Sequence, residues 1–217
     1  MTSLTLIVAA TLTNGIGQGA RLPWRLPGEM AYFARVTTRA PEGSTNAVIM
    51  GRNTWESIPL KFRPLKQRLN FVISSKADYF QQSEDDHSKP DGTYLCQSLQ
   101  DAIAKVSDQD SLKAEQTVNK TFIIGGATVY KSTLDLFNLD TGAKADRILL
   151  TRILSPTFED CDVFFPEFRD MKNANGELLW VRVPHTELEE WVGETVPQGT
   201  QVEKGVEYEF QMWVRRP

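Results

Sequence analysis

The chain has 217 residues, 41% of them hydrophobic and 24% charged, with a formal net charge of −4. That length suits one α/β domain, 1–217, with a full core. The acidic balance argues against a nucleic-acid partner, which would call for a basic surface, and no run of eighteen apolar residues is available to cross a membrane. In chain order, residues 4–10 are apolar and predict a buried strand; Met1-Thr2-Ser3-Leu4 ahead of it has no charged leader character, so the expected compartment is the cytoplasm. Residues 28–38, with Pro27 at the threshold, predict a helix. Residues 46–50 predict a second buried strand, running into Gly51-Arg52-Asn53-Thr54-Trp55, residues 68–74 a third and 93–96 a weaker fourth. Residues 99–106 read as helix. Residues 120–124 predict a fifth strand ending in Gly125-Gly126, followed by a helix over about 127–136, and 147–153 predict a sixth strand.

Two late runs differ. Residues 178–185 and 206–215 alternate, the second placing Tyr208, Phe210, Met212 and Val214 on one face and Glu207, Glu209 and Gln211 on the other. Alternation predicts a half-exposed antiparallel pair at a sheet edge, whereas buried strands alternating with helices predict a largely parallel sheet covered on both faces. The polar stretches 78–92 and 108–119 read as solvated loops. Cys96 and Cys161 form no C-x-x-C and read as reduced, buried thiols of a cytosol. His87, in the polar loop, and His185, in a late strand, have no Cys/His/Asp cluster around them, so no metal site is expected.

The richest segment is Leu22-Pro23-Trp24-Arg25-Leu26-Pro27-Gly28-Glu29-Met30-Ala31-Tyr32-Phe33. A helix from about Gly28 puts Glu29 and Phe33 on one face, with Met30 beside them. A carboxylate among apolar neighbours is costly unless it is paired or its pKa rises. Such an acid can grip two N–H groups of a planar heterocycle while aromatic side chains sandwich the ring. The plain alternative is a first-turn Glu favoured by the helix dipole.

Gly15-Ile16-Gly17-Gln18-Gly19-Ala20 fits the dinucleotide pattern G-x-G-x-x-A, but Pro23 and Pro27 speak against the helix that pattern needs. It reads instead as a flexible glycine loop, a candidate lid. Three strand ends suit phosphate better: Gly125-Gly126-Ala127-Thr128-Val129-Tyr130, Gly51-Arg52-Asn53-Thr54, and Ser74-Ser75-Lys76. Each offers backbone N–H groups, hydroxyls or a cation, as an extended ligand with several phosphates would require.

With these residues in hand, the chain resembles dihydrofolate reductase, most closely the fungal enzymes. The resemblance rests on Ile7-Val8-Ala9-Ala10, Gly15-Ile16-Gly17, Leu22-Pro23-Trp24-Arg25-Leu26, Glu29 to Phe33, Val48 to Pro59, Phe62 to Arg68, Phe122 to Ala127 and Leu150-Thr151-Arg152-Ile153, in family order. Trp191-Val192-Gly193-Glu194-Thr195 and the closing strand look like the fungal C-terminal hairpin. The resemblance implies a single-domain α/β fold: a central, mostly parallel eight-stranded sheet with an antiparallel C-terminal edge strand and helices on both faces. It implies NADPH-dependent reduction of 7,8-dihydrofolate to tetrahydrofolate, supplying one-carbon metabolism, in a monomer that antifolate inhibitors would also bind.

It also implies roles. Glu29 would hold the 2-amino group and N3 of the pteridine and help deliver a proton to N5. Thr151 would bond that carboxylate and Trp24 would order a water beside it. Ile7, Phe33, Ile58, Leu65 and Ile124 would wall the rings, with Val8, Met30 and Tyr130 in the same substrate set. Arg68 would pair with the α-carboxylate of the glutamate tail. Ala10, Ile16 and Gly17 would meet the nicotinamide end. Gly51, Thr54, Gly125, Gly126, Ala127, Thr128 and Val129 would carry the pyrophosphate, across a Gly-Gly peptide that is cis in the family. Arg52, Asn53, Ser74, Ser75 and Lys76 would face the 2′-phosphate. Ser75 stands where many relatives have Arg and Asn53 where many have Lys, which puts the strength of NADPH preference in question. A related pyrimidine or pteridine reductase and a non-catalytic NADPH- or folate-binding protein remain as alternatives. The first lacks use for Arg68, and the second lacks use for Glu29, Trp24 and Thr151 together.

Overall fold

The computed structural model describes residues 2–80, 90–108, 112, 117–136 and 142–216. Residues 81–89, with His87, and 109–111 and 113–116, which fall within the two expected polar loops, lie outside the described residues. The elements in order are β1 (Thr2–Thr11), β2 (Gly15–Gly17), α1 (Pro27–Thr38), β3 (Ser44–Gly51), α2 (Arg52–Ser57), a 3-10 turn (Leu60–Phe62), β4 (Arg68–Ile73), β5 (Thr93–Cys96), α3 (Leu99–Ser107), β6 (Thr117–Ile123), α4 (Ala127–Leu134), β7 (Ala143–Ser155), β8 (Val163–Phe164), β9 (Trp180–Arg182), α5 (His185–Val192), β10 (Gln201–Glu203) and β11 (Val206–Arg215). The chain forms two compact units, Met1–Leu4 with Thr37–Lys144, and Thr5–Val36 with Ala145–Pro217.

In the first unit the strands run in the order β6-β3-β4-β5, all parallel. The continuous apolar run Ala47 to Met50 is buried, as a strand with neighbours on both sides requires. Asn46, at its start, is buried without an unmet group. Its Nδ2 donates to the carbonyls of Thr37 and Arg39, at 3.0 and 2.9 Å, and its Oδ1 accepts from Asn119 Nδ2 and the Lys120 amide. Helix α3 starts at Ser98, whose side chain accepts from the Asp101 amide at 3.0 Å, and buries Leu99, Ala102, Ile103 and Val106.

In the second unit the order is β10-β11-β7-β1, with β9 also on β11. Strand β11 is antiparallel to β7, β9 and β10, so the α/β class, the parallel strands and the antiparallel C-terminal edge all appear as expected. The core here is aromatic: Phe168 meets Phe165, Trp180 and Trp213 edge-on at 5.7, 6.1 and 5.2 Å.

Three expectations are corrected. The late alternating run forms a strand only at Trp180–Arg182, and His185 opens helix α5 instead of ending a strand. Pro184, at φ −54°, stands at the helix threshold, and Leu188 and Val192 become its buried face. Trp191 and Val192 therefore close a helix, ended by Gly193 at φ +78°, and the C-terminal hairpin is β10–β11. The glycine loop is no free loop. Gly15 and Gly17 pair with Phe164 and Val163 in an antiparallel ribbon, and no helix starts there. A Cβ at Gly15 would lie 2.6 Å from Cys161 Sγ, so the close approach of Cys161, just ahead of β8, requires glycine at 15.

Candidate active site

In the second unit, Glu29 sits in the first turn of α1 and is only 6% exposed. Its Oε1 accepts a hydrogen bond from Thr151 Oγ1 of β7 at 3.2 Å. Burial pushes the carboxyl up from 4.5 to about 7; the Thr151 bond opposes the rise and the charge of Glu203 adds to it. The group is thus poised to hold or release a proton near neutrality. Tyr32, buried on the same helix, is driven well above the usual phenol range by burial and then by the Glu29 charge. Trp24 is buried, with its ring edge-on to Phe158 at 5.3 Å. Its Nε1 has no hydrogen-bond partner among the described residues. Phe33, one turn beyond Glu29, is half-buried, while Met30 is 47% exposed. Ile7, Val8 and Ala10 are buried in β1; Ile16 is half-buried and Gly17 buried in β2.

The root of that ribbon holds residues to which sequence reasoning gave no role. Arg152, next to Thr151 and only 4% exposed, donates to the Thr11 carbonyl and to Asn14 Oδ1, the latter at 3.0 Å. Asn14, at φ +65°, donates to Glu167 Oε2 at 3.1 Å and accepts from the Phe165 amide at 2.8 Å. Glu167 is gripped by Arg169 and held down to about 2 by that bond. The available signal was Asn14 directly before a Gly-x-Gly, a residue type that tolerates the left-handed region.

In the first unit, β3 and β6 end side by side. The Gly51 amide donates to the Gly125 carbonyl at 2.7 Å, and the Gly125–Gly126 peptide is cis, as the resemblance implies. A Cβ at Gly51 would meet Val129 Cγ2 at 3.3 Å; one at Gly126 would meet Thr54 Oγ1 at 3.4 Å. Gly126 is the N-cap of α4 and no side chain caps that helix, so backbone N–H groups of its first turn face a cradle that any side chain would fill. Ala127 and Thr54 are half-buried, Thr128 is exposed, Val129 and Tyr130 are buried. Arg52 is loosely paired with Glu56 at 4.0 Å, and Tyr79 donates to the same carboxylate at 3.0 Å. Ser74 is buried with its Oγ accepting from the Lys76 amide at 3.2 Å; Asn53, Ser75 and Lys76 are exposed.

Arg68 opens β4 half-buried. Its Nε donates to the Lys66 carbonyl at 3.0 Å and its Nη1 to Thr37 Oγ1 at 2.7 Å. No carboxylate pairs with it among the described residues, and burial pulls it down to about 10. A half-buried guanidinium with no acid beside it can in chemical terms pair with a carboxylate. Asn70 clamps the approach, accepting from the Leu65 amide and donating to the Leu65 and Arg68 carbonyls at 2.8–2.9 Å. Ile58, Leu65 and Ile124 are half-buried in this unit.

A family model described as dihydrofolate reductase matches residues 3–177. The dihydrofolate reductase of Pneumocystis carinii is 41% identical to this chain over 218 residues, covering 98% of the chain and 97% of that protein. That of Cryptococcus neoformans var. neoformans is 42% identical over 229 residues, covering 98% and 94%. Among solved structures, Schistosoma mansoni dihydrofolate reductase aligns with a TM-score of 0.70 at 32% identity, covering 99% of each chain.

Proposed function

The chain belongs to the dihydrofolate reductase family, and from that premise we propose that Glu29 is the group that holds the pteridine and its proton. The activity is the NADPH-dependent reduction of 7,8-dihydrofolate to 5,6,7,8-tetrahydrofolate. The observation that carries the assignment of Glu29 is a buried carboxyl raised to about 7 beside a single hydroxyl donor. An acid of that strength keeps its proton in apolar surroundings and yields it to a basic ring nitrogen.

NADPH, when bound, supplies the hydride that reaches C6 of the pteridine. The residues fit it: the Gly51, Gly125 and Gly126 cradle, the uncapped first turn of α4 and the Thr54 hydroxyl suit the pyrophosphate, and Arg52, Ser74, Ser75 and Lys76 suit the 2′-phosphate. Glu29 would orient the pteridine through its 2-amino group and N3 and, with a water held at Trp24 Nε1, would keep a proton available for N5. Thr151 fixes the carboxylate's rotamer. Ile7, Val8, Phe33, Ile58, Leu65, Ile124, Met30 and Tyr130 would cover the rings and exclude water. Arg68 would take the α-carboxylate of the tail, while Ala10, Ile16 and Gly17 would meet the nicotinamide. The similarity along nearly the whole chain supports residues 1–217 working as one reductase domain; a monomer acting in the cytoplasm is part of the same proposal. No helix of the described residues is long and apolar enough to cross a membrane.

The test is the loss of 340 nm absorbance with dihydrofolate and NADPH, run on the wild type and on Glu29→Gln. Turnover by the wild type and its collapse in the variant support the assignment. A variant with near-wild-type hydride transfer at pH 7 refutes it.

A further inference from the structure

One acid close to Glu29 has no place in the reaction described so far. Glu203 ends β10, and both of its oxygens accept from the Gly28 amide, at 3.2 Å for Oε1 and 3.0 Å for Oε2. Gly28 lies in the first turn of α1, immediately before Glu29. The contact depends on glycine: a Cβ there would stand 3.1 Å from Glu203 Oε2 and 3.3 Å from Tyr208 Oη. The turn Lys204-Gly205, with both residues at positive φ, folds β10 back on β11 and holds Glu203 in place. Tyr208 Oη donates to Glu203 Oε2 at 3.5 Å.

We propose that Glu203 is a positioning residue for the reductase reaction, which by capping α1 one residue ahead of Glu29 sets how much of Glu29 carries a proton at neutral pH. The inference rests on the reading of Glu29 as the proton-holding group. The physical reason is competition for one helix end. The N-terminus of α1 carries partial positive charge, which by itself favours an ionised acid in the first turn. Glu203 occupies that end as a fixed anion. It uses the Gly28 N–H and places a like charge near the buried carboxyl, so ionising Glu29 becomes harder.

The other groups around Glu29 do not offset this. Thr151, from β7, is a neutral donor. Tyr32 of α1 and Tyr208 of β11 are both raised by burial and by neighbouring acids, and stay neutral through the working pH range. Arg35 of α1 is paired with Glu194, beyond α5, at 2.8 Å. No cation pairs with Glu203 among the described residues. Glu203 also lines a cavity of about 290 Å³ with Gly28, Tyr32 and Phe210, so its charge faces solvent and its influence falls as salt rises.

The experiment is a carbon NMR titration of the Glu29 carboxyl in the full chain labelled at glutamate, with Glu29→Gln used to assign the resonance. The wild-type midpoint is expected near 7. Glu203→Gln keeps an oxygen for the Gly28 amide and removes the charge. Its midpoint is expected about half a pH unit lower at low salt, the size of one partly screened like charge, and the difference is expected to shrink in high salt. Turnover at pH 8 should then drop about threefold, the same half unit read as a protonated fraction, with KM for NADPH unchanged. An unmoved Glu29 midpoint in Glu203→Gln overturns the proposal and leaves Glu203 as a helix cap alone. Should that variant fail to fold, Gly28→Ala, which crowds Oε2 away, must lower the midpoint; if it does not, the proposal is overturned. Should turnover ignore the Glu29 titration in the wild type and the variant alike, the catalytic reading of Glu29 fails, while the carboxyl midpoints still decide whether Glu203 controls its proton.

Discussion

Replacing Glu29 with Gln should stabilise the protein, and increasingly so as the pH rises. The carboxyl lies at about 7 in the folded chain against an ordinary 4.5. Below 4.5 both folded and unfolded chains hold the proton and the group contributes nothing to the pH dependence. Between 4.5 and 7 the unfolded chain releases the proton while the folded chain keeps it, so stability falls with rising pH. Above 7 both forms are ionised and the full cost is present: about 2.5 pH units at 1.36 kcal/mol each, or about 3 kcal/mol. Because Glu29 is only 6% exposed, solvent does little to reduce that figure. The Gln amide does not titrate, and its Oε1 can still accept from Thr151. The stability gap between variant and wild type, from urea unfolding at fixed salt, should therefore widen by about 2.5 kcal/mol between pH 5 and pH 8. Any constant packing difference cancels in that comparison. A gap that stays flat across those pH values refutes the buried, raised carboxyl, whatever the activity assays show.

Three further outcomes follow from the same residues. Glu29→Gln should slow hydride transfer to dihydrofolate by at least ~10²-fold, the scale of a lost proton donor, with NADPH affinity unchanged by fluorescence titration; wild-type turnover should fall as pH rises through about 7. Arg68→Leu should weaken dihydrofolate binding by ~2–5 kcal/mol, the loss of one partner of a desolvated charge pair, and leave a small diaminopyrimidine without a glutamate tail bound as before; equal weakening of both by calorimetry would make Arg68 structural. Arg52→Ala should remove most of the preference for NADPH over NADH while NADH kinetics hold steady, and equal wild-type kcat/KM for the two cofactors would mean that Asn53 and Ser75 have dissolved the phosphate contact.

The parts legible in the sequence were those written by local periodicity. The buried run at 46–50, the helix from Pro27 and the alternating strand Val206–Arg215 appear where apolar spacing put them. The acid at 29 stood out because an ionisable group among apolar neighbours is a local contradiction. What failed to show in the sequence was set by distant partners. The run 178–185 alternates like a strand, yet only Trp180–Arg182 pairs in register with β11; Leu178 makes an isolated bridge to Lys172, the Val183 amide donates to the Met212 carbonyl, and Pro184 then hands the chain to a helix. The glycines at 15 and 17 read as loop because their strand partners are Phe164 and Val163, almost 150 positions on. Glu203 was invisible for the same reason, its partner being the distant Gly28 amide; Asn70, whose partners are the nearby Leu65 and Arg68 backbone groups, was missed because the sequence does not show how the turn before β4 folds back on it.

The step from Thr151 to Arg152 shows how one short motif serves two tasks. Successive side chains on a strand point to opposite faces. On β7, Thr151 turns to the Glu29 carboxyl and Arg152 turns to the Thr11 carbonyl and Asn14. A buried guanidinium is costly alone, and burial pulls Arg152 down to about 10. Its cost is offset by fixing the exit of β1 and, through Asn14, Glu167 and Arg169, the root of the ribbon that carries Ile16 and Gly17. Two adjacent residues of one strand thus hold the proton-bearing acid on one side and the base of the glycine ribbon on the other. A shift of β7 by one residue would exchange the two faces and lose both contacts together. That is the physical sense in which Thr151-Arg152 is a unit: the strand register, fixed by the pairing of Phe210 with Thr151 and Glu209 with Arg152, decides both at once.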